Sequence, residues 1–331
     1  MNKYLDNKNI LYVSPKFFGY ERIIKEKLEN SGALVDYFDD RPSNDFLTKV
    51  FIRLKLKFFV NKKINKYYSE IFKFIKHRNY DYIFVISPET FSFKELQIIK
   101  NIQHKAKTIL YMWDSFENKN SFNTIELFDE VFSFDNRDAK KYDLSFLPLF
   151  YIEEYEKLET KKYEFDLTFI ATAHSDRYKI AMQLSKILNK YKSYYYFYLP
   201  SKIIYYIRKY FIKNYDYGNI NDFNFKPLEH SKIVDFFHKS KVILDINHPS
   251  QYGLTMRTFE CLGARKKLIT TNQNVLEYDF YNPNNIMVID RNNIIINKSF
   301  FDLPYEELES EIYEKYSIEN WLKTIFKEKR L

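Results

Sequence analysis

The chain has 331 residues, of which 45% are apolar, a length that suits two domains of about 150 residues each and a composition that gives each half a core and excludes global disorder. Its single cysteine, Cys261, excludes a disulfide framework and a cysteine-ligated zinc site, as a reducing cytoplasm would allow. A formal net charge of +8 calls for an anionic partner, and the absence of a zinc-finger spacing or an RNP-like aromatic motif turns the expectation from nucleic acid towards an acidic membrane surface or a phosphate-bearing substrate.

The N-terminus, MNKYLDNKNILYVS, has no long apolar stretch, and no run of about 18 uncharged apolar residues occurs anywhere. A cytoplasmic protein that neither spans the membrane nor is exported is therefore expected. From there, short β-rich runs alternate with helical stretches: NILYVS, ERIIKEKLENSG, ALVDYF, a basic region, DYIFVIS, FKELQIIKNIQ, TILYMW and EVFSF. Alternation of this kind predicts a parallel sheet covered by helices, and near-continuous apolar strands fit burial on both faces.

The basic region, Lys49 to Arg78, carries ten Lys or Arg against one acidic residue, Glu70. Two readings stand. It is a solvated helical face, or it is an amphipathic surface resting on anionic headgroups, with Phe51, Phe58 and Phe59 inserting while Arg53, Lys55, Lys57, Lys62 and Lys63 meet phosphate.

After Phe150 the segment IEEYEKLETKKYE is charged and lacks a strand pattern, which predicts a linker over 151–164 between domains 1–150 and 165–331. A second alternating series follows: FDLTFIAT, DRYKIAMQLSKIL, YYYFYL, KIVDFFHKS, KVILDI, a helix near Tyr252 to Gly263, KLITT and IMVID. The expected fold is α/β, two Rossmann-like doubly wound domains facing a cleft, with the last helix free to return to the first domain. The Tyr-rich run reads as a buried strand.

In open α/β sheets ligands bind at the carboxyl ends of strands, so the loops there carry the chemistry. In Asp245 to Asn272, Gly253, Arg257 and Glu260 fall at i, i+4 and i+7 of the expected helix, on one face, with Leu254, Thr258 and Cys261 on another. A helix N-terminus suits a pyrophosphate, Gly253 lets backbone approach it, and Arg257 adds charge-assisted contacts. Glu260 can accept from two ribose hydroxyls. The plainer alternative is an exposed Arg257–Glu260 ion pair of little value.

These residues, together with FIATAHSDR, HPSQYGLTMRTFECLGARKKLITTN, YDFYNPNNIMVIDR, YMWDSFEN and FDEVFSFDNRDAKKYDLSFLPLFY, resemble bacterial glycosyltransferases of capsule and lipopolysaccharide biosynthesis, of the GT-B, CgeB-like type. The resemblance covers most of the chain. It implies a hexosyltransferase that takes a nucleotide-sugar donor and extends a growing, polyprenyl-diphosphate-linked glycan, peripheral on the inner membrane face. It further implies that Glu260 is the second, ribose-binding Glu of a Glu-x7-Glu motif; Tyr252 stands where the first would be, which leaves inversion or retention open. His174, Ser175 and Arg177 in the loop ATAHSDR, and Asn247, His248, Gln251, Tyr252, Gly253, Leu254, Thr255, Thr271 and Asn272 around the helix, complete the expected donor site. No Asp-x-Asp occurs, so no metal cofactor is expected and helix dipole, Arg and Lys would neutralise the diphosphate.

An inverting transfer needs a general base. Asp114, directly after TILYMW, is the first candidate, although an N-cap role also explains it. Glu89 is second and Asp40 third, while Phe17, Phe18 and Gly19 can shape the acceptor pocket. Two other classes fit parts of the sequence: an epimerase or hydrolase on the same fold, and a non-catalytic assembly protein using the basic face.

Overall fold

A computed structural model of the chain describes residues 3–43, 45, 48, 57–116, 122–156, 162–211 and 218–327. The chain divides into two compact units, Met1–Pro148 with Leu322–Leu331, and Leu149–Trp321.

The first unit is a six-stranded parallel sheet of β1 (Asn9–Ser14), β2 (Leu34–Asp39), β3 (Tyr82–Ile86), β4 (Lys107–Met112), β5 (Glu130–Ser133) and β6 (Ser145–Phe146), in the order β2-β1-β3-β4-β5-β6. Its helices are α1 (Tyr20–Asn30), α2 (Asn61–Ile75), α3 (Phe93–Ile102) and α4 (Asn136–Tyr142). Strands β1, β3 and β4 are buried nearly throughout, because helices cover both faces. Two local devices start helices here: a capping box between Ser92 and Glu95 for α3, and the Asp135 carboxylate accepting from the Arg137 and Asp138 amides for α4.

Helix α2 explains much of the basic region. Ile64, Tyr68, Ile71 and Ile75 form one apolar stripe that packs on the β1 and β3 core, while Lys62, Lys63 and Lys66 stay outside. Phe58 and Phe59 are exposed just before it. Phe51, Arg53 and Lys55, named above for lipid contact, lie outside the described residues, as does the side chain of Lys57. The first unit also takes in Phe326, whose ring stands 5.2 Å from that of Tyr82.

The second unit repeats the plan with β7 (Phe165–Thr172), β8 (Ser193–Tyr198), β9 (Phe223–Asn224), β10 (Ser240–Asp245), β11 (Lys267–Thr270) and β12 (Ile286–Val288), all parallel in the order β12-β11-β10-β7-β8-β9. Its helices are α5 (Glu153–Glu156), α6 (Arg177–Ile187), α7 (Lys202–Phe211), α8 (His230–Lys239), α9 (Met256–Gly263), α10 (Ser310–Lys315) and α11 (Ile318–Ile325), the last running into the segment assigned to the first unit. Leu167, Phe169, Ile180, Leu184, Val242 and Leu244 sit at the centre of its core.

Three local expectations differ from what is found. The Tyr-rich strand β8 is half-buried, with Phe197 alone fully covered and the Tyr196 hydroxyl turned out to the Lys226 carbonyl. Residues 151–156, read as linker from their charge, fall within the second unit: Tyr151 and Tyr155, on either side of Glu153 and Glu154, are buried, and Tyr151 bridges Ser317. Helix α9 begins at Met256 rather than near Tyr252, so Gly253 and Leu254 precede it. Thr255 is extended there (φ −79°, ψ 161°), and the side chains of Gln251 and Asn272 hold the Gly253 carbonyl in a loop.

Strand order reverses between β1 and β3 in the first sheet and between β7 and β10 in the second. Those are the points where loops leave in opposite directions and a crevice opens.

Candidate functional site

At the β7/β10 switch point the loops are fastened by arginines. The loop after β7 turns sharply into α6, with the His174 amide donating to the Thr172 carbonyl and Ser175 in the left-handed region at φ 50°. Arg177, first residue of α6, donates from Nε to the Ile246 carbonyl at 2.6 Å and from Nη1 to the Thr172 carbonyl at 3.2 Å, so one guanidinium ties the ends of β10 and β7. Arg291, after β12, makes the second tie. Its Nη1 lies 2.9 and 3.0 Å from the two carboxylate oxygens of Asp176, and its Nη2 donates to both the carbonyl and the side-chain oxygen of Asn247.

Asn247 is the hub of the loop after β10. Its Oδ1 also accepts from Thr271 Oγ1 at 2.8 Å, and its Nδ2 donates to the Gln251 carbonyl at 3.0 Å. Asn272 Nδ2 holds the carbonyls of Tyr252 and Gly253, both at 3.2 Å. Tyr252 reaches Glu277 with its hydroxyl. Leu254 is 1% exposed and packs inward, so its side chain serves the core. These bonds tie Asn247, Gln251, Tyr252, Gly253, Thr271 and Asn272 into one set of loops.

Electrostatically the place is crowded with cations. The His174 ring faces that of His248 at 5.6 Å, and Arg208 of α7 donates to the Ala173 carbonyl beside it. Burial, reinforced by Arg177, His248 and Arg208, pushes the His174 pKa down to about 3, so the ring is neutral at physiological pH. Burial also lowers Arg177 to about 10, with Asp245 opposing the shift and Arg257 and Arg291 adding to it. Positive groups that discourage one another's charge in a partly desolvated site are relieved by an anion. A buried counter-charge near them is Asp245, which accepts from Thr255 Oγ1 at 2.7 Å; burial raises its pKa, while Arg177 and Thr255 favour the ionised form.

On α9, Arg257 Nη1 lies 2.7 Å from Glu260 Oε2, and the pair is largely buried rather than exposed. The Arg257 guanidinium also stands over the Phe237 ring, 5.1 Å from its centroid. Burial alone would lower its pKa, yet the Glu260 carboxylate holds it above the ordinary value. Thr255 turns its hydroxyl to Asp245 instead of capping the helix, which leaves the capping role at the α9 N-terminus to backbone or ligand.

In the first unit, the loops at the β1/β3 switch point carry Phe17, Phe18 and Gly19 after β1 and Ser87 to Glu89 after β3. Gly19 has φ 87°, which suits glycine and starts α1. The rings of Phe17 and Trp113 lie 5.4 Å apart, and Ser87 Oγ accepts from the Trp113 amide. Asp114 follows at the end of β4, half-buried, its Oδ1 accepting from the Ser115 amide at 3.1 Å. Glu89 is engaged by Arg41 at 2.6 Å. Asp40 is fully buried and its carboxylate accepts from the amides of Glu89, Thr90 and Phe91, which makes it a brace for that loop and corrects its reading as a base.

Sequence reasoning passed over Asp245, Arg208 and Arg291. Arg291 ends the run IMVIDR, and the rule that strand ends face the ligand would have found it. Arg208 sits mid-helix on α7, with no signal of its own. Among the described residues no group of three or more His, Cys, Asp or Glu side chains is placed to hold a metal ion.

No family model and no curated protein matches the chain. Solved structures do. A glycosyltransferase from Rickettsia africae is similar with a TM-score of 0.61 and 14% identity, covering 98% of this chain and 100% of that one. Anabaena HepE in complex with UDP-glucose has a TM-score of 0.58 and 11% identity over 96% and 98%. The UDP-GlcNAc 2-epimerase of Methanocaldococcus jannaschii has a TM-score of 0.53 and 11% identity over 96% and 99%. With the two parallel six-stranded sheets, these likenesses give the chain the GT-B fold.

Proposed function

We propose that the protein is a metal-independent glycosyltransferase that binds a nucleotide-sugar donor at the β7/β10 switch point of its second unit. The observation that carries this reading is the gathering of Arg177, Arg208, Arg257 and Arg291 with neutral His174 around the loops that follow β7 and β10. Such a site neutralises a diphosphate by dipole and guanidinium, and no carboxylate pair is needed to carry Mn2+ or Mg2+. Glu260, pinned by Arg257, is offered to the ribose hydroxyls.

The chemistry is displacement at the anomeric carbon. An acceptor hydroxyl oxygen forms the new bond, the bond from that carbon to the phosphate oxygen breaks, and the nucleoside diphosphate leaves with the electron pair. Asp114 takes the acceptor proton in the inverting version of this scheme. Glu89 is second for that role, its carboxylate already engaged by the Arg41 guanidinium at 2.6 Å.

By the resemblance of its motifs, the enzyme works in capsule or lipopolysaccharide assembly as a hexosyltransferase, on a polyprenyl-diphosphate-linked glycan at the cytoplasmic leaflet. Lys62 and Lys63 beside Phe58 and Phe59 supply one reversible contact with that surface. Among the described residues no helix is long and apolar enough to cross a membrane.

A thermal-shift screen of nucleotide sugars with EDTA present tests the donor assignment. Stabilisation by one donor, lost in Glu260→Gln, is expected, since a ligand bound only by the native state raises its apparent stability. Stabilisation that requires Mn2+ would overturn metal independence. The epimerase likeness keeps a second outcome in view: donor consumption with no acceptor present.

A further inference from the structure

Helix α7 reads KIIYYIRKYF, and Tyr205 is its one buried residue. The Tyr205 hydroxyl donates to the Gly218 carbonyl at 2.7 Å and its ring lies 5.3 Å from that of Phe223, which fixes the inner side of the helix to the second unit. On the outer side, Ile203, Tyr206, Ile207, Tyr210 and Phe211 follow the i, i+3, i+4, i+7, i+8 pattern and form one apolar stripe. That stripe is in water. Ile203 is 70% exposed, Tyr210 69% and Phe211 83%, and the rings of Tyr206 and Tyr210 run parallel along it, 6.3 Å apart.

The charge around the stripe has one sign. At 3.6 residues per turn, Lys202 and Lys209 fall on one border and Arg208 on the other. The sequence from Leu199 to Lys213 holds Lys202, Arg208, Lys209 and Lys213 and no Asp or Glu. Arg208 is turned to the Ala173 carbonyl, and Lys209 Nζ donates to Tyr205 OH at 3.0 Å and the Gly218 carbonyl at 3.2 Å, so two of the three border cations are held by the protein while Lys202 stays exposed. An aliphatic and aromatic stripe edged by cations is the composition of a helix lying in the headgroup region: the apolar side chains enter the acyl boundary, tyrosines sit at the interface and cations meet lipid phosphate.

We propose that α7 is a docking helix for an anionic phospholipid bilayer. This contact is separate from the one assigned above to Lys62 and Lys63 of the first unit, and it does not depend on the catalytic reading. It has a mechanical corollary, because the helix that meets lipid also holds, through Arg208 and Ala173, the loop that carries His174.

The test is co-sedimentation of the full chain with vesicles of phosphatidylglycerol and phosphatidylethanolamine, and with phosphatidylcholine alone, at low and physiological salt. The wild type should pellet with the anionic vesicles. Ile207→Glu with Tyr210→Glu should weaken that binding about tenfold or more while leaving solution mass and thermal midpoint unchanged, since both side chains are exposed. Ile203→Ser with Phe211→Ser gives the same readout if the glutamates disturb folding. Lys62→Glu with Lys63→Glu forms a separate arm. Failure of the wild type to bind at low salt, or loss in the lysine arm alone, overturns the proposal. So does a wild-type dimer that the α7 variants dissociate without any vesicle binding, which would assign the stripe to a second copy of the chain. Donor and acceptor are absent throughout, so the result stands whether or not the enzymatic reading holds.

Discussion

Arg257 and Glu260 stand one turn apart on α9 with 2.7 Å between guanidinium and carboxylate, and both side chains are largely withdrawn from water. An exposed pair at this spacing contributes a few tenths of a kcal/mol. Once buried, the same pair becomes costly to break, because the remaining charge has lost its partner. Glu260→Ala is therefore expected to destabilise the second unit by about 3 to 5 kcal/mol, read as a lowered denaturation midpoint. Glu260→Gln keeps an oxygen for Arg257, should fold closer to wild type, and should still lose about 1.5 to 3 kcal/mol of nucleoside diphosphate affinity by calorimetry. Unchanged affinity in the Gln variant contradicts the ribose assignment.

Arg291 grips Asp176 with one nitrogen and Asn247 with the other, so its contribution is geometric as well as electrostatic. Arg291→Lys keeps the charge and loses the fork. Diphosphate affinity is expected to drop about tenfold in this variant, or about 1.4 kcal/mol. If lysine restores full affinity, positive charge alone suffices and the loop tie is irrelevant to binding.

His174 couples the site to pH. In the unfolded chain it takes up a proton near 6.5, and in the folded chain only near 3. Across that interval the unfolded state binds more protons, so this residue lowers stability as pH falls from 6.5 towards 3. Urea denaturation at pH 7 and pH 4.5 should show a smaller acid-induced loss in His174→Asn than in the wild type. An equal loss in both proteins would place the acid sensitivity elsewhere.

Gly263, last residue of α9, packs against Tyr151. A Cβ there would stand 2.6 Å from both Cβ and Cγ of the tyrosine. Gly263→Ala should cost about 1 to 3 kcal/mol through overpacking. An unchanged midpoint in Gly263→Ala would show that the helix end shifts freely.

How legible this was in the sequence varied with the physics of each element. Strands such as NILYVS and DYIFVIS announce themselves because burial on both faces demands continuous apolar residues. The loops ATAHSDR and NHPSQYG were found by strand-end position, and the fold brings their residues together. What stayed hidden depends on partners distant in sequence. Asp40 looks like any strand-end acid until three amides from 89 to 91 close on it. Arg291 is 115 residues from Asp176. The start of α9 was misplaced because side-chain bonds from Asn272 and Gln251 hold the Gly253 carbonyl, and helix periodicity carries no trace of them. The exposed stripe of α7 reads in sequence as an ordinary core face, and only its exposure shows otherwise.

Transfer of a sugar from nucleotide to acceptor changes the mass of the acceptor, which mass spectrometry reads. The full-length protein would be incubated with nucleotide sugars and lipid-linked glycans extracted from cells that make it, with EDTA present. A glycosyltransferase yields a glycan heavier by one sugar residue, matched by released nucleoside diphosphate and absent with Glu260→Gln. A donor that is isomerised or hydrolysed while every glycan keeps its mass would contradict it.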